Sequence, residues 1–312
     1  MNRLAKDFYT LGIIGYPLEK SLSPRLHNAA LRQCGLRGVY GLYPIPELPA
    51  GQAQMQSVME GLREGHLDGL NVTIPHKQAV IPFLDELTPL SHQVGAVNTI
   101  YRAGSRLIGD NTDAPGFTIN LRQALPGPDI PGSALVLGAG GAARAIVFSL
   151  LAQGWQITIA ARHADQARRL FHSVSSGGNQ PMVIELEALA EYLSTTIKQG
   201  TDRSTQNAFN KPAYPASPRL IVNATPVGMY PDNERSPWPE GVPFPDNAFV
   251  YDLVYKPPET LLVSKARSAG LQAANGLGML VEQAALSFQR WTGMLPPIEP
   301  LRQEIIGSTT ET

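Results

Sequence analysis

Short apolar runs alternate along the chain with segments that have helical periodicity. The first run, YTLGIIG at Tyr9–Gly15, has the length and the glycine ending of a buried strand. Ser23 then supplies an N-cap, Pro24 the first helical position and Gly35 a stop, which predicts a helix over about 24–34. The alternation continues to a last helix in GMLVEQAALSFQRWTG. This pattern predicts an α/β fold with mainly parallel sheets.

A second α/β unit begins near Pro131, where SALVLGAGGAARA predicts a strand, a glycine-rich turn and the start of a helix. Glycine lets the backbone approach a pyrophosphate, and the amides of a helix N-terminus favour its negative charge. This order of elements is typical of dinucleotide binding, and the alternative is a tight turn without a ligand. The loop consists of Gly138, Ala139, Gly140, Gly141, Ala142 and Ala143.

The strand after this motif, WQITIAA, ends in Arg162 and His163, with no acidic residue before Asp165. NAD-binding proteins usually place Asp or Glu at this point to bind the ribose 2′-hydroxyl, whereas an arginine suits the 2′-phosphate of NADP. The sequence therefore favours NADP, with NAD as the alternative cofactor. In the competing interpretation, Arg162 is only a solvated cation at the start of a helix.

In the first unit, the stretch GLNVTIPHK combines a strand with several polar side chains. We predict a strand from Asn71 to Ile74, in which alternation puts Asn71 and Thr73 on one face. Pro75 ends the pairing because it has no N–H, and Lys77 follows two residues later. These side chains either face a ligand together or belong to an exposed strand that ends in a solvated loop.

Three further motifs place polar side chains at the ends of elements. Ser21 and Ser23 in SLS share one side of an extended segment, and the start of the following helix favours an anion, although an N-cap serine needs no ligand. GDNTD places Asp113 at the end of a strand, where it either forms a structural ion pair or acts beside a lysine. Asn98 in GAVNT is by default an amide at a turn or strand end.

Composition narrows the class of protein. The chain has 312 residues, of which 43% are hydrophobic and 16% charged, so it fits two ordinary globular domains. The net charge is -1 without a basic block, so we expect neither nucleic acid nor a membrane as a partner. A single cysteine, Cys34, excludes a disulfide within the chain, and we expect a soluble cytoplasmic protein. The polar, proline-containing segment 194–218 predicts a long loop.

Together these motifs resemble the shikimate dehydrogenase family. They follow the family's order and cover nearly the whole chain: SLSPRLHNAAL, NVTIPHK, GAVNT, GDNTDAPGF, LGAGGAARA, VNATPVGM, YDLVYKPPETLL and NGLGMLVEQAALSFQRWTG. The resemblance implies reversible NADP-linked reduction of 3-dehydroshikimate to shikimate, in the chorismate branch of aromatic amino-acid biosynthesis. It also implies a substrate-binding domain at 1–114 plus 276–312 and a Rossmann-like nucleotide-binding domain at 115–275, in a monomer or homodimer.

The resemblance also implies roles for individual residues. Lys77 and Asp113 match the catalytic pair of the family, and a lysine within hydrogen-bond reach can exchange the proton that a hydroxyl loses when it is oxidised. The residues that match substrate contacts are Ser21 and Ser23 for the carboxylate, and Thr73, Asn98, Asp113, Tyr255 and Gln283 for the hydroxyls, with Asn71 in the same strand motif. The residues that match cofactor positions are Arg162, Thr225, Val254 and Gly276, in addition to the glycine-rich loop.

Two features depart from the pattern of the family. Its usual Asn-Arg-Thr after the second nucleotide-domain strand is Ala161-Arg162-His163 here, and a second arginine is replaced by Gln166, which weakens the preference for NADP. The segment 194–218 is longer than expected. Two alternative functions stay open: a quinate/shikimate dehydrogenase that uses NAD or both cofactors, and a non-catalytic nucleotide-binding sensor. The retention of both Lys77 and Asp113 argues against the sensor.

Overall fold

The computed structural model describes residues 6–125, 131–175, 182–201 and 217–309. The chain folds into two compact units. The first unit consists of Met1–Asn120 and Gly278–Thr312, and the second of Leu121–Leu277. The first unit is therefore discontinuous in sequence, because the chain leaves it for the second unit and then returns.

The first unit is built on one six-stranded sheet. Its strands are β1 (Tyr9–Gly15), β2 (Gly38–Pro44), β3 (Gly69–Val72), β4 (Glu86–Leu87), β5 (Thr99–Ala103) and β6 (Arg106–Asp110), in the order β2-β1-β3-β5-β6-β4. Only β5 runs antiparallel to its neighbours, β3 and β6. The helices of this unit are α1 (Ser23–Gln33), α2 (Gln52–Glu64), α3 (His76–Ala79), α4 (Pro89–Val94), α5 (Asp113–Ala124), α10 (Leu277–Thr292) and α11 (Ile298–Thr309).

One apolar cluster joins the sheet of the first unit to α2. Met55, Met59 and Leu62 follow the spacing of one helix face and pack with Ile14 and Leu70. Burying each such side chain contributes about 1.5–3 kcal/mol. The cluster therefore fixes the strands whose ends carry the polar side chains described below.

The second unit contains a wholly parallel six-stranded sheet. Its strands are β7 (Ser133–Leu137), β8 (Gln156–Ala161), β9 (Met182–Glu185), β10 (Leu220–Asn223), β11 (Phe249–Asp252) and β12 (Ala273–Ala274), in the order β12-β11-β10-β7-β8-β9. Its helices are α6 (Gly141–Ala152), α7 (Ala164–Val174), α8 (Leu189–Thr201) and α9 (Leu261–Ser268). The strand order reverses beside β7, and ligands of open α/β sheets bind at such a reversal.

The prediction of an α/β fold with mainly parallel sheets is confirmed. The helix predicted over about 24–34 spans Ser23–Gln33, and Gly35 has the positive φ of a helix stop, 65°. Among the described residues, no helix combines the length and the apolar character that crossing a membrane requires.

Three local predictions were wrong, and a fourth was wrong for the part of its segment that the structure describes. The strand predicted to Ile74 ends at Val72, because the chain turns at Pro75, and Ile74 is 56% exposed. Helix α1 begins at Ser23 with Leu22 in the N-cap position, so the Ser23 hydroxyl is not a cap. Asp113 is the first residue of α5 and does not end a strand.

The fourth concerns the loop predicted over 194–218. Helix α8 continues through the first part of this segment to Thr201, and residues 202–216 lie outside the described residues. Leu189, Tyr192 and Leu193 of α8 are buried in the core of the second unit, so packing holds this segment as a helix although its later residues are polar.

Candidate active site

Lys77 and Asp113 form an ion pair in the first unit. Lys77 Nζ lies 2.7 Å from Asp113 Oδ2, and the two side chains are 15% and 5% exposed. The short helix α3 holds Lys77 in place, because the buried His76 donates from Nε2 to the carbonyl of Ile45 at 2.7 Å. The Lys77 carbonyl also accepts from the Val97 N–H at 2.7 Å. The pair is therefore held by contacts of α3, and Lys77 keeps a small exposed fraction.

An amide holds the second oxygen of the Asp113 carboxylate. Asn98 Nδ2 donates to Asp113 Oδ1 at 2.9 Å and approaches Gln283 Oε1 at 3.3 Å. Asn98 Oδ1 in turn accepts from the N–H of Thr112 at 2.7 Å, so the orientation of this amide is fixed. The structure thus brings four of the predicted site residues into one hydrogen-bonded chain: Lys77, Asp113, Asn98 and Gln283.

Asn71 belongs to a buried extension of this chain. Its Nδ2 donates to the carbonyl of Asn98 and to Ser287 Oγ, both at 3.0 Å, and its Oδ1 accepts from the Tyr40 hydroxyl at 2.7 Å. The side chain is 4% exposed. Protein groups therefore occupy both ends of the Asn71 amide, which supports the strands around the site.

Ser21 and Ser23 lie at the start of α1. Ser23 is 6% exposed and its hydroxyl hydrogen-bonds the buried Tyr40, whose pKa burial raises well above its usual value. Ser21 Oγ accepts from the N–H of Ser23 at 3.3 Å. Tyr40 also stacks on the ring of His27 with centroids 4.3 Å apart, and burial lowers the pKa of His27 to about 3. The two serines are thus tied to Asn71 through Tyr40.

Thr73 stands apart from this network. It is half-buried, and its methyl group lies so close to Gly15 that no side chain fits at that position. Among the hydrogen bonds of the described residues, none involves the Thr73 hydroxyl. Asn71 points into protein, and the face predicted to be shared by Asn71, Thr73 and Lys77 stays a prediction.

Four buried hydroxyl groups were missed at the sequence level: Tyr40, Thr99, Thr112 and Ser287. Ser287 Oγ lies 2.7 Å from Thr99 Oγ1 and 2.9 Å from Thr112 Oγ1, so it joins β5, the start of α5 and α10. Thr99 and Thr112 lie inside the motifs GAVNT and GDNTD, and Ser287 lies one helical turn after Gln283. That spacing was the available signal for Ser287.

The glycine-rich loop of the second unit fits a phosphate group. Gly138 has φ 107°, and a Cβ there would lie 3.0 Å from the carbonyl oxygen of Ala224 and from Thr225 Cγ2. Gly140 occupies the N-cap of α6 without a side-chain cap, and a Cβ there would meet nothing within 4 Å. The space beside Gly140, at the start of α6, is therefore open, and a helix N-terminus favours a negatively charged group such as a pyrophosphate. Ala143 is fully buried, which explains the small residue at the third position of the motif.

Arg162 directly follows β8, the strand beside β7, and is exposed. Asp165 pairs with Arg168 at 2.9 Å, and both side chains are largely exposed. Surface pairs of this kind are weak, and the acidic residue nearest to Arg162 in the sequence is directed to Arg168.

The remaining predicted residues of the second unit cluster around the ends of β10 and β11. The Gly276 N–H donates to the carbonyl of Val254 at 3.2 Å, and any side chain at Gly276 would overlap the Leu253 carbonyl. Thr225 lies beside Gly138, as described above. Tyr255 follows Val254 and is half-buried.

Comparison with known proteins identifies the family. The model of the shikimate dehydrogenase substrate binding domain matches residues 13–100, and that of the shikimate 5'-dehydrogenase C-terminal domain matches residues 276–306. The shikimate dehydrogenase (NADP(+)) of Salinibacter ruber is 42% identical over 288 residues, which cover 90% of each chain. The chain belongs to the shikimate dehydrogenase family. The enzyme of the same name from Bacillus subtilis is 36% identical, over 95% of this chain and 96% of that one.

Solved structures agree with this assignment. Shikimate 5-dehydrogenase from Thermus thermophilus, in complex with NADP(H) and shikimate, is 33% identical with a TM-score of 0.77, over 96% of this chain and 99% of that one. Quinate dehydrogenase from Corynebacterium glutamicum, in complex with NAD, is 27% identical with a TM-score of 0.80, over 97% of this chain and 100% of that one. The predictions of the family and of an NADP-linked oxidoreductase of aromatic amino-acid biosynthesis are confirmed. The predicted roles of individual residues, the oligomeric state and the cytoplasmic location stay predictions.

Proposed function

We propose that this shikimate dehydrogenase reduces 3-dehydroshikimate to shikimate reversibly, with Lys77 and Asp113 as its catalytic pair. The observation that carries this proposal is the 2.7 Å ion pair between Lys77 Nζ and Asp113 Oδ2, joined to the amides of Asn98 and Gln283. Hydrogen-bonding groups that converge beside a charged pair suit a polyhydroxylated substrate, and a purely structural ion pair does not need them.

Lys77 and Asp113 exchange the proton of the reacting hydroxyl. An ammonium group has three donors, and among the described residues only Asp113 accepts from Lys77. The remaining donors face the partly open side, where a substrate oxygen can bind. Asp113 accepts a hydrogen bond from Asn98 and holds Lys77 by charge, so the proton moves at Lys77 Nζ or at the neighbouring carboxylate. When bound, NADPH would supply the hydride for the reduction, and NADP⁺ would accept it in the reverse direction.

The other predicted site residues bind and orient. Ser21 and Ser23 hold the substrate carboxylate, and Thr73, Asn98, Gln283 and Tyr255 hold its hydroxyls. The hydroxyl of Thr73 has no protein hydrogen bond among the described residues, which supports a role in binding a substrate hydroxyl. Asn71 acts indirectly, because its amide is already bound by Tyr40, Ser287 and the Asn98 carbonyl.

The second unit holds the cofactor. Residues 138–143 and the start of α6 bind the pyrophosphate, and Arg162 binds the 2′-phosphate with its planar guanidinium. Thr225, Val254 and Gly276 surround the nicotinamide end. The open space at Gly140 and the exposure of Arg162 support this arrangement.

One assay tests the proposal. The purified chain is given shikimate and then quinate, each with NADP and with NAD, and the absorbance of the reduced cofactor is followed. We expect the highest kcat/KM with shikimate and NADP. The similarity to a quinate dehydrogenase makes quinate with NAD the second candidate pair, and a higher kcat/KM for that pair would establish it instead. Cofactor binding without turnover of either substrate would favour the non-catalytic sensor.

A further inference from the structure

Asp252, the last residue of β11, is a buried carboxylate with no role in the site described so far. It is 0% exposed. Its Oδ1 accepts from Asn223 Nδ2 at 2.8 Å and from the Val254 N–H at 3.0 Å, and its Oδ2 accepts from the Thr260 hydroxyl at 2.6 Å. Three donors around one carboxylate match its ionised form, which only accepts.

The first branch of this network reaches the glycine-rich loop. Asn223, the last residue of β10, uses its Oδ1 to accept from the N–H of Thr225 at 3.0 Å and from the Thr225 hydroxyl at 2.7 Å. Thr225 Cγ2 lies against Gly138, where a Cβ would be 3.0 Å away. Asp252 therefore fixes the turn after β10 through a single amide.

The second branch reaches the turn after β11. The bond from the Val254 N–H to Asp252 holds the backbone of Val254, whose carbonyl accepts from the Gly276 N–H at 3.2 Å. The close approach of Gly276 to Leu253 leaves this backbone little room to shift. Both branches thus end at positions that we assign to the nicotinamide end of the cofactor.

We propose that the ionised carboxylate of Asp252 is a positioning residue, which holds the turns after β10 and β11 in the shape that binds the nicotinamide half of NADP. This inference rests on the proposed cofactor site. A buried carboxylate is a costly way to join two strands, because burial disfavours its charged form. The same burial raises the pKa of Asp252 to about 6, while the hydrogen bonds from Thr260, Val254 and Asn223 act in the lowering direction.

The elements around Asp252 add little charge. Strands β10 and β12 contain no charged residue. Tyr251 precedes Asp252 on β11 and projects to the opposite face of the strand. Thr260 is the N-cap of α9, whereas Lys265 and Arg267 lie in the last turn of that helix, and Arg267 pairs with Glu259 at 3.1 Å. Hydrogen bonding and burial therefore control the protonation of Asp252.

The test compares Asp252→Asn with the wild-type enzyme, and Asp246→Asn serves as the matched control. Asp246 is exposed and lies before the opposite end of the same strand. The dissociation constant of NADPH is measured by fluorescence titration without substrate. At about pH 7.5 we expect Asp252→Asn to weaken NADPH by about tenfold, because an amide cannot replace an acceptor of three hydrogen bonds. The control and the KM for shikimate should change by less than about twofold.

The pH dependence separates positioning from general loss of structure. At about pH 5 the wild-type carboxyl is also neutral, so the ratio of the two dissociation constants should fall to below about twofold. Taking the ratio removes the titration of the 2′-phosphate of NADPH, whose second pKa is about 6. Equal affinities at about pH 7.5, or a ratio that stays constant with pH, would overturn the positioning role.

A second pair of variants applies if Asp252→Asn does not fold. Thr260→Val removes the donor to Asp252 Oδ2, and Thr260→Ser keeps it. We expect weaker NADPH binding for Thr260→Val alone, and equal affinities would refute the inference.

If the wild-type chain binds NADPH with this dependence on Asp252 but does not oxidise shikimate, the proposed function fails and the positioning role stands.

Discussion

Lys77 and Asp113 are the two residues on which the proposed chemistry depends most. We expect Lys77→Ala to lower kcat by roughly 10²–10⁴, the range for loss of a general acid or base, with a smaller change in KM. Steady-state kinetics with shikimate and NADP measures this loss, and Lys265→Ala, at an exposed position of α9, is the control. A kcat near the wild-type value would show that the ion pair is only structural.

Arg162 should decide the choice of cofactor. Losing a hydrogen bond to a charged group costs about 1.5–3 kcal/mol, so Arg162→Ala should lower kcat/KM with NADP by about ten- to a hundredfold and leave NAD almost unaffected. Arg169→Ala, another exposed arginine that follows β8, is the control. Equal losses with both cofactors would mean that Arg162 supports the fold or the adenine.

Ser21 and Ser23 should affect binding more than turnover. Removing either hydroxyl should raise the KM for shikimate with little change in kcat, because contacts to a carboxylate hold ground and transition states alike. Since Ser23 is buried and bonds the buried Tyr40, Ser23→Ala should lower the free energy of unfolding by about 1–3 kcal/mol. Ser21 is only half-buried, so Ser21→Ala should change it less. Melting curves without substrate separate the two effects, and an unchanged KM in both variants would exclude a carboxylate site.

The polar residues of the site and the pairing of Lys77 with Asp113 were predicted from the sequence, but the buried partners that hold these side chains were not. Lys77 and Asp113 belong to motifs 36 residues apart in the chain, and the fold brings the two side chains into contact. Ser287, Tyr40 and Asp252 were missed, because each is ordinary for its own helix or strand and gains its role from tertiary contacts. Serine is a common N-cap residue, yet α1 begins one residue earlier than predicted. The Ser23 hydroxyl hydrogen-bonds Tyr40 instead.

At the scale of elements, α10 contributes the hub of the buried polar network. Ser287→Ala would leave Asn71, Thr99 and Thr112 each short of one partner, so we expect the free energy of unfolding to fall by about 1–3 kcal/mol per lost buried bond that is not replaced. Urea unfolding measures this change. Ser194→Ala is the control, because Ser194 is an exposed helical serine with the same bond to the carbonyl four residues earlier. Equal losses in the two variants would contradict the hub.

Elements whose pattern is periodic were predictable, and short ones were not. The strands and α6 of the second unit follow from apolar runs that flank the glycine motif. The turn at Pro75 and the four-residue helix α3 have too few residues for periodicity to register, and His76 fixes α3 through a contact with Ile45 that is distant in sequence. The position of Lys77 therefore needed the structure.

At the scale of the whole molecule, Asp252 should leave a signature in the pH dependence of unfolding. Its folded-state pKa is about 6 against an ordinary 3.8, so this group favours the folded state below about pH 4, and that contribution is lost as the pH rises through about 6. The difference of about two pKa units corresponds to about 3 kcal/mol. The free energy of unfolding of Asp252→Asn, relative to that of wild type, should therefore rise by about this much between about pH 4 and pH 7. Amide hydrogen exchange in β10 and β11 measures the stability of the second unit directly. A stability difference between Asp252→Asn and wild type that does not change with pH would contradict an ionised Asp252 in the folded state.

The discontinuity of the first unit has a consequence for synthesis on the ribosome. Domains generally fold as units and in the order in which they emerge. Here the second unit is complete at Leu277, whereas Gln283 and Ser287 emerge afterwards. The hydrogen bonds that Asn71, Asn98 and Thr112 make to Gln283 and Ser287 can therefore form only after the segment from Gly278 is translated. The unit whose synthesis begins first is therefore completed last, and the unit inserted within it can fold during that delay.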